Sequence, residues 1–452
     1  MIYFILKICK RKVAKMPASY HSWYFSVMSD ERSSGHDKSV MALQRWWRIL
    51  IGACFKGPSA GFQKRTILAI AIAVSGTNGT PANAALDDAV NLEVGGTAVH
   101  DSNVFRTPDF VKPRPDTIYS GIVGLHVDKP YAQQRFQFDI METSYRYEKL
   151  SNLDYDALNY RAAWLWHFGP RVSGTLEANE SKSQIPFQNT NATTRNVRTT
   201  KNYIFGTDGE IAAPWHLLFG IAQSDQASEE VTQGAPDLHS TRAEGGVRYI
   251  TLSGNTVSFV ERLIRGQYTN VAVVPNNPIN DNFRGYESDL QAHWVLNSKS
   301  ALIGRLAWID RHGDNFSQFD FSGLVGNVGY TWTPTAKFRV ETGAEQNIVA
   351  WQDATATHRV DDMLFIASVW QASPKIALRM RLEHVQSDFR GGALRNGEAR
   401  RDTADNALLG VEWTPARAFT AGASLANQKR SSNDINSEYR ATVATLTASL
   451  KF

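Results

Sequence analysis

Cysteine, long apolar runs and catalytic fingerprints are all scarce in this chain, and each scarcity excludes a class of protein. The only cysteines, Cys9 and Cys54, lie upstream of the segment read below as an export signal. The exported part therefore has no thiol, which removes disulfides and cysteine metal sites. Ile67 to Val74 is the longest candidate apolar run, far short of the about twenty residues a membrane-spanning helix needs. No G-x-S-x-G, H-E-x-x-H, P-loop or dinucleotide fingerprint occurs, and histidines are scattered singly. His167 with Ser173 or Ser322 is the one nucleophile-base pairing worth testing, and Asp310, Asp314, Asn315 and Asp320 offer oxygen ligands without EF-hand spacing. The chain is expected to be neither an enzyme nor a holder of metal or cofactor. No basic patch with interleaved aromatics points to nucleic acid.

What is present is alternation. Phe452, Leu450, Ala448, Leu446 and Ala444 fall on one face of a terminal strand, and Lys451, Ser449, Thr447 and Thr445 on the other. Alternation alone fits a soluble sandwich as well as a membrane barrel. A mean hydropathy of −0.32 does not exclude a barrel, because only alternate residues meet lipid. Twelve Trp, fifteen Tyr and 22 Phe supply interfacial girdles. Leu450 and Phe452 form the barrel-closing C-terminal signal, with barrel-assembly machinery and outer-membrane lipid as the partners expected.

Lys64 and Arg65, the apolar run to Val74 and the small residues ending at Ala82, Asn83, Ala84 read as a secretory signal cut before Ala85. Residues 1–62 fit no part of it and are read as an upstream extension from a misassigned start. Within them, Ile51 to Cys54 resembles a lipoprotein acylation box, but the apolar stretch before it is very short. The expected division is 1–62 extension, 63–84 signal and 85–452 outer-membrane barrel.

Turn signals recur at a spacing of about forty residues. They are Asp128-Lys129-Pro130, Phe168-Gly169-Pro170, Ala213-Pro214, Ser253-Gly254-Asn255, Asn297-Ser298-Lys299, Trp332-Thr333-Pro334, Ser373-Pro374 and Trp413-Thr414-Pro415. Such spacing suits two strands, one tight turn and one long loop, so an up-and-down antiparallel barrel of about 18 strands is predicted, with the tight turns periplasmic. Trp164, Trp166, Trp215, Trp294, Trp332, Trp370 and Trp413 track these turns as an inner girdle would. The polar stretches 180–201, 223–242, 265–285 and 386–406 are the expected extracellular loops. Strands near 197–206 and 257–264 alternate poorly.

With Leu158, Tyr160, Ala162, Trp164 and Ile376, Leu378, Met380, Leu382 facing lipid, the opposite register lines the lumen. It includes Glu93, Arg135, Asp139, Asn159, Arg161, Arg248, Arg305, Lys337, Arg339, Glu341, Arg379, Arg381 and Glu383. Positive groups outnumber negative ones in this set, which would favour anionic solutes. The same charges can instead pair across neighbouring strands, the role expected for most of them.

His100, Asp101, Ser102, Asn103, Val104, Phe105, Arg106, Thr107, Pro108, Asp109, then Pro115, Asp116, Thr117, open the first long loop, and Tyr147 to Asp156 follows later, with Leu153, Asp154 and Tyr155. These segments resemble the EpsL-like outer-membrane barrels encoded with exopolysaccharide biosynthesis operons, over about Leu86 to Phe452. The resemblance implies a non-enzymatic conduit or accessory pore for exopolysaccharide, with the polymer and its secretion machinery as partners, and no known active site. The alternatives are a diffusion or uptake porin for small anionic solutes and an outer-membrane hydrolase. Physically, Asp101 and Asn103 suit turn hydrogen bonds and Arg106 can pair with Asp109 or Asp116, so the motif is expected to lock a loop.

Overall fold

The computed structural model describes residues 89–190, 193–230, 236–269, 282–353, 356–391 and 398–452. The extension, both cysteines and the signal with its cleavage site lie outside them. The strands are β1 (Val90–Asp101), β2 (Asp116–Tyr131), β3 (Gln134–Tyr147), β4 (Tyr155–Phe168), β5 (Val172–Gln184) and β6 (Val197–Ala212). There follow β7 (Trp215–Ser228), β8 (Asp237–Ile250), β9 (Thr256–Thr269), β10 (Phe283–Asn297), β11 (Ser300–Gly313) and β12 (Phe321–Thr335). The last six are β13 (Phe338–Asp353), β14 (Ala356–Ser373), β15 (Ile376–Arg390), β16 (Arg401–Ala416), β17 (Phe419–Ser432) and β18 (Tyr439–Lys451). All pair antiparallel with their sequence neighbours, and β1 pairs with β18, closing one 18-stranded sheet. Closure matters because a sheet with a free edge would leave amides unpaired in hydrocarbon.

The register fixes which side chains face out. One row runs Val340, Ser368, Met380, Leu409, Leu425, Ala444, His100 across neighbouring strands. Its side is the apolar one, since Leu217, Phe219, Ile221, Leu306, Leu364, Leu409 and Leu446 are all exposed. Exposed large apolar side chains all round a closed barrel have no aqueous explanation. The protein is an outer-membrane β-barrel. Trp164, Trp215, Trp294, Trp332, Trp370 and Trp413 are exposed on this outer face near the short turns, the girdle that alternation and turn spacing predict. Trp166 shares the face and stacks on Phe205 with centroids 6.3 Å apart.

Two expectations shift. The turns after β2, β12 and β16 fall two or three residues beyond Pro130, Pro334 and Pro415. Pro334 and Pro415 occupy register irregularities next to Trp332 and Trp413, where a residue without an N–H breaks no ladder bond. The extracellular loops are also shorter than expected, because β5 runs to Gln184, β7 to Ser228, β9 to Thr269 and β15 to Arg390. Strands of 12 to 18 residues outrun the about 9–11 that cross a bilayer. Hydrophobic alternation stops at the membrane surface while backbone pairing continues beyond it.

At Gly174 on the outer face, an added Cβ would collide with the Trp166 ring and the Gly206 carbonyl. Gly174→Ala is expected to cost about 1–3 kcal/mol. A lowered temperature for conversion from the folded to the unfolded gel form would show it, and an unchanged temperature would mean Trp166 moves aside freely.

Candidate functional site: a charge-paired lumen under a locked mouth

Opposite the lipid face the same register gathers charge. On one wall, His126 Nδ1 lies 2.8 Å from Asp139 and its Nε2 lies 3.3 Å from Glu93, whose carboxylate also meets Lys451 at 3.5 Å. Arg161 continues the row, 2.7 Å from Glu177 and 3.9 Å from Asp139. Across β8 to β11, Arg262 bridges Glu244 at 2.8 Å, Glu287 at 2.6 Å and Asp289, while Arg305 holds Asp289 at 2.9 Å and Glu287. Asp289 is fully buried beneath the two guanidinium groups.

All seven arginines read from sequence as lumen-lining lie in the inward register, and each has a carboxylate partner. Arg135 pairs with Asp128 at 2.6 Å, Arg379 with Glu412 at 3.0 Å and Arg381 with Glu383 at 2.5 Å. Arg248 pairs with Asp208 and Arg339 with Glu341. Lys337, by contrast, sits in the turn between β12 and β13 and not on the lumen wall. The expected positive excess also disappears. Asp128, Glu177, Asp208, Glu244, Glu287, Asp289 and Glu412 share the inward face, so lumen carboxylates among the described residues are at least as numerous as cations. Several of these carboxylates lie on β6 and β8 to β10, where alternation is weak or the neighbouring residues are charged on both faces.

The cationic groups are nonetheless unevenly placed. At the extracellular end of β14 to β18, Arg359, Arg400, Arg430 and Arg106 follow one another, with Phe389 and Tyr439 between them. Arg400 lies over Phe389 at 4.3 Å and Arg359 at 5.7 Å from the same ring; Arg430 and Arg106 lie 5.1 and 5.9 Å from the Tyr439 ring. Asp361 meets Arg359 at 2.6 Å, Asp402 meets Arg400 at 2.6 Å and Asp101 meets Arg106 at 2.8 Å. Among the described residues Arg430 has only the far edge of Asp402, at 3.9 Å. Four cations thus face three carboxylates. Sequence reading missed Arg359, Arg400 and Arg430 because they stand on strand extensions or in a segment read as loop.

The motif residues converge above this lumen. Asp101 accepts the Asn103 amide at 2.9 Å, and Asn103 Nδ2 donates to the carbonyls of Thr107 at 2.8 Å and Arg440 at 3.0 Å. Arg106, at φ 54°, pairs with Asp101 and not with Asp109 or Asp116. Asp116 accepts the amides of Thr117 at 2.7 Å, Lys149 at 3.0 Å and Leu150 at 2.9 Å. Asp154 accepts the Tyr147 amide at 2.7 Å, and Tyr155 stacks on Tyr145 with centroids 4.5 Å apart. Val104, Phe105, Tyr147, Leu150, Leu153 and Phe187 form a small buried core, the Phe105 and Phe187 rings meeting edge to face at 4.9 Å. Carboxylates that cap loop amides beside an apolar cluster fix the first three extracellular loops to one another.

The remaining sequence candidates separate. His167 and Ser173 are register partners on β4 and β5, but His167 Nδ1 lies 3.0 Å from the Gln133 carbonyl. Ser322 is on the outer face of β12. Asp310 and Asp320 contact His312 at 3.1 and 3.2 Å, and Asp314 contacts Arg284 at 3.1 Å. At the seam, Phe452 and Leu92 exchange backbone hydrogen bonds of 2.9 Å, and Leu450 stands opposite Val94.

No protein-family model matches the chain, and no curated protein sequence matches it. Among solved structures the chain is similar to Pseudomonas aeruginosa OpdK with vanillate, at TM-score 0.46 and 10% identity over 80% of this chain and 99% of that one. It is similar to Acinetobacter baumannii OccAB3 at TM-score 0.48 and 8% identity, covering 80% and 99%. It is also similar to Pseudomonas aeruginosa OccK2 (OpdF) in complex with glucuronate, at TM-score 0.47 and 9% identity, covering 80% and 98%.

Proposed function

We propose that this barrel is a non-enzymatic outer-membrane channel that admits small anionic solutes. The observation that carries this reading is the arginine row at the extracellular end of the lumen, above all Arg430, which faces inward with no carboxylate of the described residues closer than 3.9 Å. A guanidinium without a bidentate partner keeps donors free for a carboxylate, and the neighbouring Arg359, Arg400 and Arg106 raise the local potential. The paired charges deeper in the lumen then serve as a polar wall that a hydrated solute passes without meeting an unscreened field. Reversal potentials of single channels under a salt gradient test this. Anion preference is expected, reduced roughly threefold in Arg430→Gln, with vanillate and glucuronate as first probes of block. A silent barrel or a cation-preferring one would overturn the reading.

The motif resemblance supports a second reading, passage of exopolysaccharide, because the motif residues gather at the mouth, where a polymer would emerge. A clean deletion should then reduce released polysaccharide. Unchanged amount and release would end that reading and leave the solute channel standing.

A further inference from the structure

The outer wall is not uniformly bulky. On β7 the outward register carries large side chains, Trp215, Leu217, Phe219 and Ile221. On β17, β18 and β1 it carries Ala421 and Ala423, Ala444 and Ala448, Gly96 and Ala98. The shortfall in side-chain volume leaves an external groove of about 1100 Å³, walled by Trp370, Leu378, Leu409, Leu425 and Leu446 and floored by Ala98, Ala423 and Ala444.

Polarity changes step by step along the strands above this groove. One outward position beyond Leu425 and Ala444, Asn427 Nδ2 donates to Thr442 Oγ1 at 3.4 Å, and at the groove's flank His100 Nδ1 lies 3.2 Å from Thr117 Oγ1. One outward position further, Lys429 and Arg440 stand opposite each other in register, both exposed. Among the described residues neither has a carboxylate within ion-pair distance. Asp405, the register partner of Lys429 on β16, is engaged by His384 at 2.8 Å. Among other outward cations at the rim, Arg146 pairs with Asp156 at 2.7 Å, Arg284 with Asp314 at 3.1 Å and Arg401 with Asp388 at 2.8 Å.

We infer that this groove binds one anionic, phosphate-bearing acyl lipid of the outer leaflet, its chains in the groove and its phosphate on Lys429 and Arg440. The sequence of apolar floor, neutral hydrogen-bonding band and unpaired cations matches chains, ester or amide linkage and phosphate in their order from bilayer interior to surface. From Leu425 to Lys429 is about 13 Å of strand, the distance from mid-chain to phosphate in one leaflet. A second copy of the barrel would bury two like-charged cation pairs against each other, which disfavours that occupant.

The test is native mass spectrometry of the refolded barrel in detergent, titrated with bisphosphorylated lipid A and with phosphatidylcholine. One lipid A per barrel is expected, retained at least about tenfold better than phosphatidylcholine. Lys429→Gln with Arg440→Gln should abolish that preference, and Ala444→Trp, which fills the groove, should lose both lipids. Folded migration on unheated gels checks that each variant is a barrel, and the charge variant alone tests the inference if Ala444→Trp does not fold. Equal retention of both lipids, or a charge variant that behaves as wild type, would overturn it. So would a wild-type oligomer that Ala444→Trp dissociates, because the groove would then be an interface between copies.

Discussion

Arg262→Ala should be the most destabilising single substitution in the barrel wall, lowering unfolding free energy by about 3–5 kcal/mol. Arg262 is one cation holding three carboxylates, Glu244, Glu287 and Asp289, drawn from two neighbouring strands. Without it, the one cation left to Asp289 and Glu287 among the described residues is Arg305, with Gln291 donating to Asp289 at 3.0 Å, and Glu244 keeps Arg242 at 3.6 Å. Asp289 is fully buried, so water cannot take over its hydration without disturbing β10. A buried charge stripped of its partner costs more than the pair contributes. Urea unfolding in lipid vesicles measures the effect, and Arg262→Lys separates charge from geometry. A lysine restores one positive charge but cannot bridge three carboxylates at once, so less than half the loss should be recovered. Arg262→Ala also adds net negative charge at mid-lumen and should move channel selectivity toward cations. A loss under about 1 kcal/mol would mean that lumen water screens this cluster as bulk water screens a surface pair.

Asp116→Asn should release the mouth without unfolding the wall. The carboxylate is 1% exposed and receives amides from Thr117, Lys149 and Leu150. An asparagine keeps the shape but offers one acceptor oxygen and turns an NH₂ toward the remaining donors. Buried amides left without an acceptor cost about 1–3 kcal/mol, which makes hydrogen exchange at Lys149 and Leu150 about a hundredfold faster. The apolar core of Phe105, Leu150, Leu153 and Phe187 would loosen with them, and the channel current should become noisier because Arg106 of the first loop contacts the inward-facing Gln428 and Tyr439. Unaltered exchange at both amides would show that the apolar core alone holds the loops.

Residues alone were enough to specify the architecture. Strict alternation in segments such as Leu158 to Phe168 and Ile376 to Leu382, with proline and glycine turns at a regular interval, leaves one economical arrangement. Each strand has one lipid-facing side, every amide finds a neighbour, and the strand number follows from the turns. The inward register of the seven arginines was legible for the same reason, since a strand has only two faces. The motif around Asp101, Asn103 and Arg106 announced a loop lock through residue types that bond backbone amides. Only the tertiary structure decided partners. Which carboxylate meets which arginine depends on stagger between strands, and a one-residue slip would exchange every partner. For that reason the apparent excess of positive charge turned out to be a largely balanced ladder, and Arg430, left with only a distant carboxylate, stands on a strand extension with no hydrophobic alternation to mark it. The external groove was equally hidden. Alanines on β17, β18 and β1 are unremarkable in each strand by itself, and become a cavity only where closure of the sheet sets the first strand beside the last.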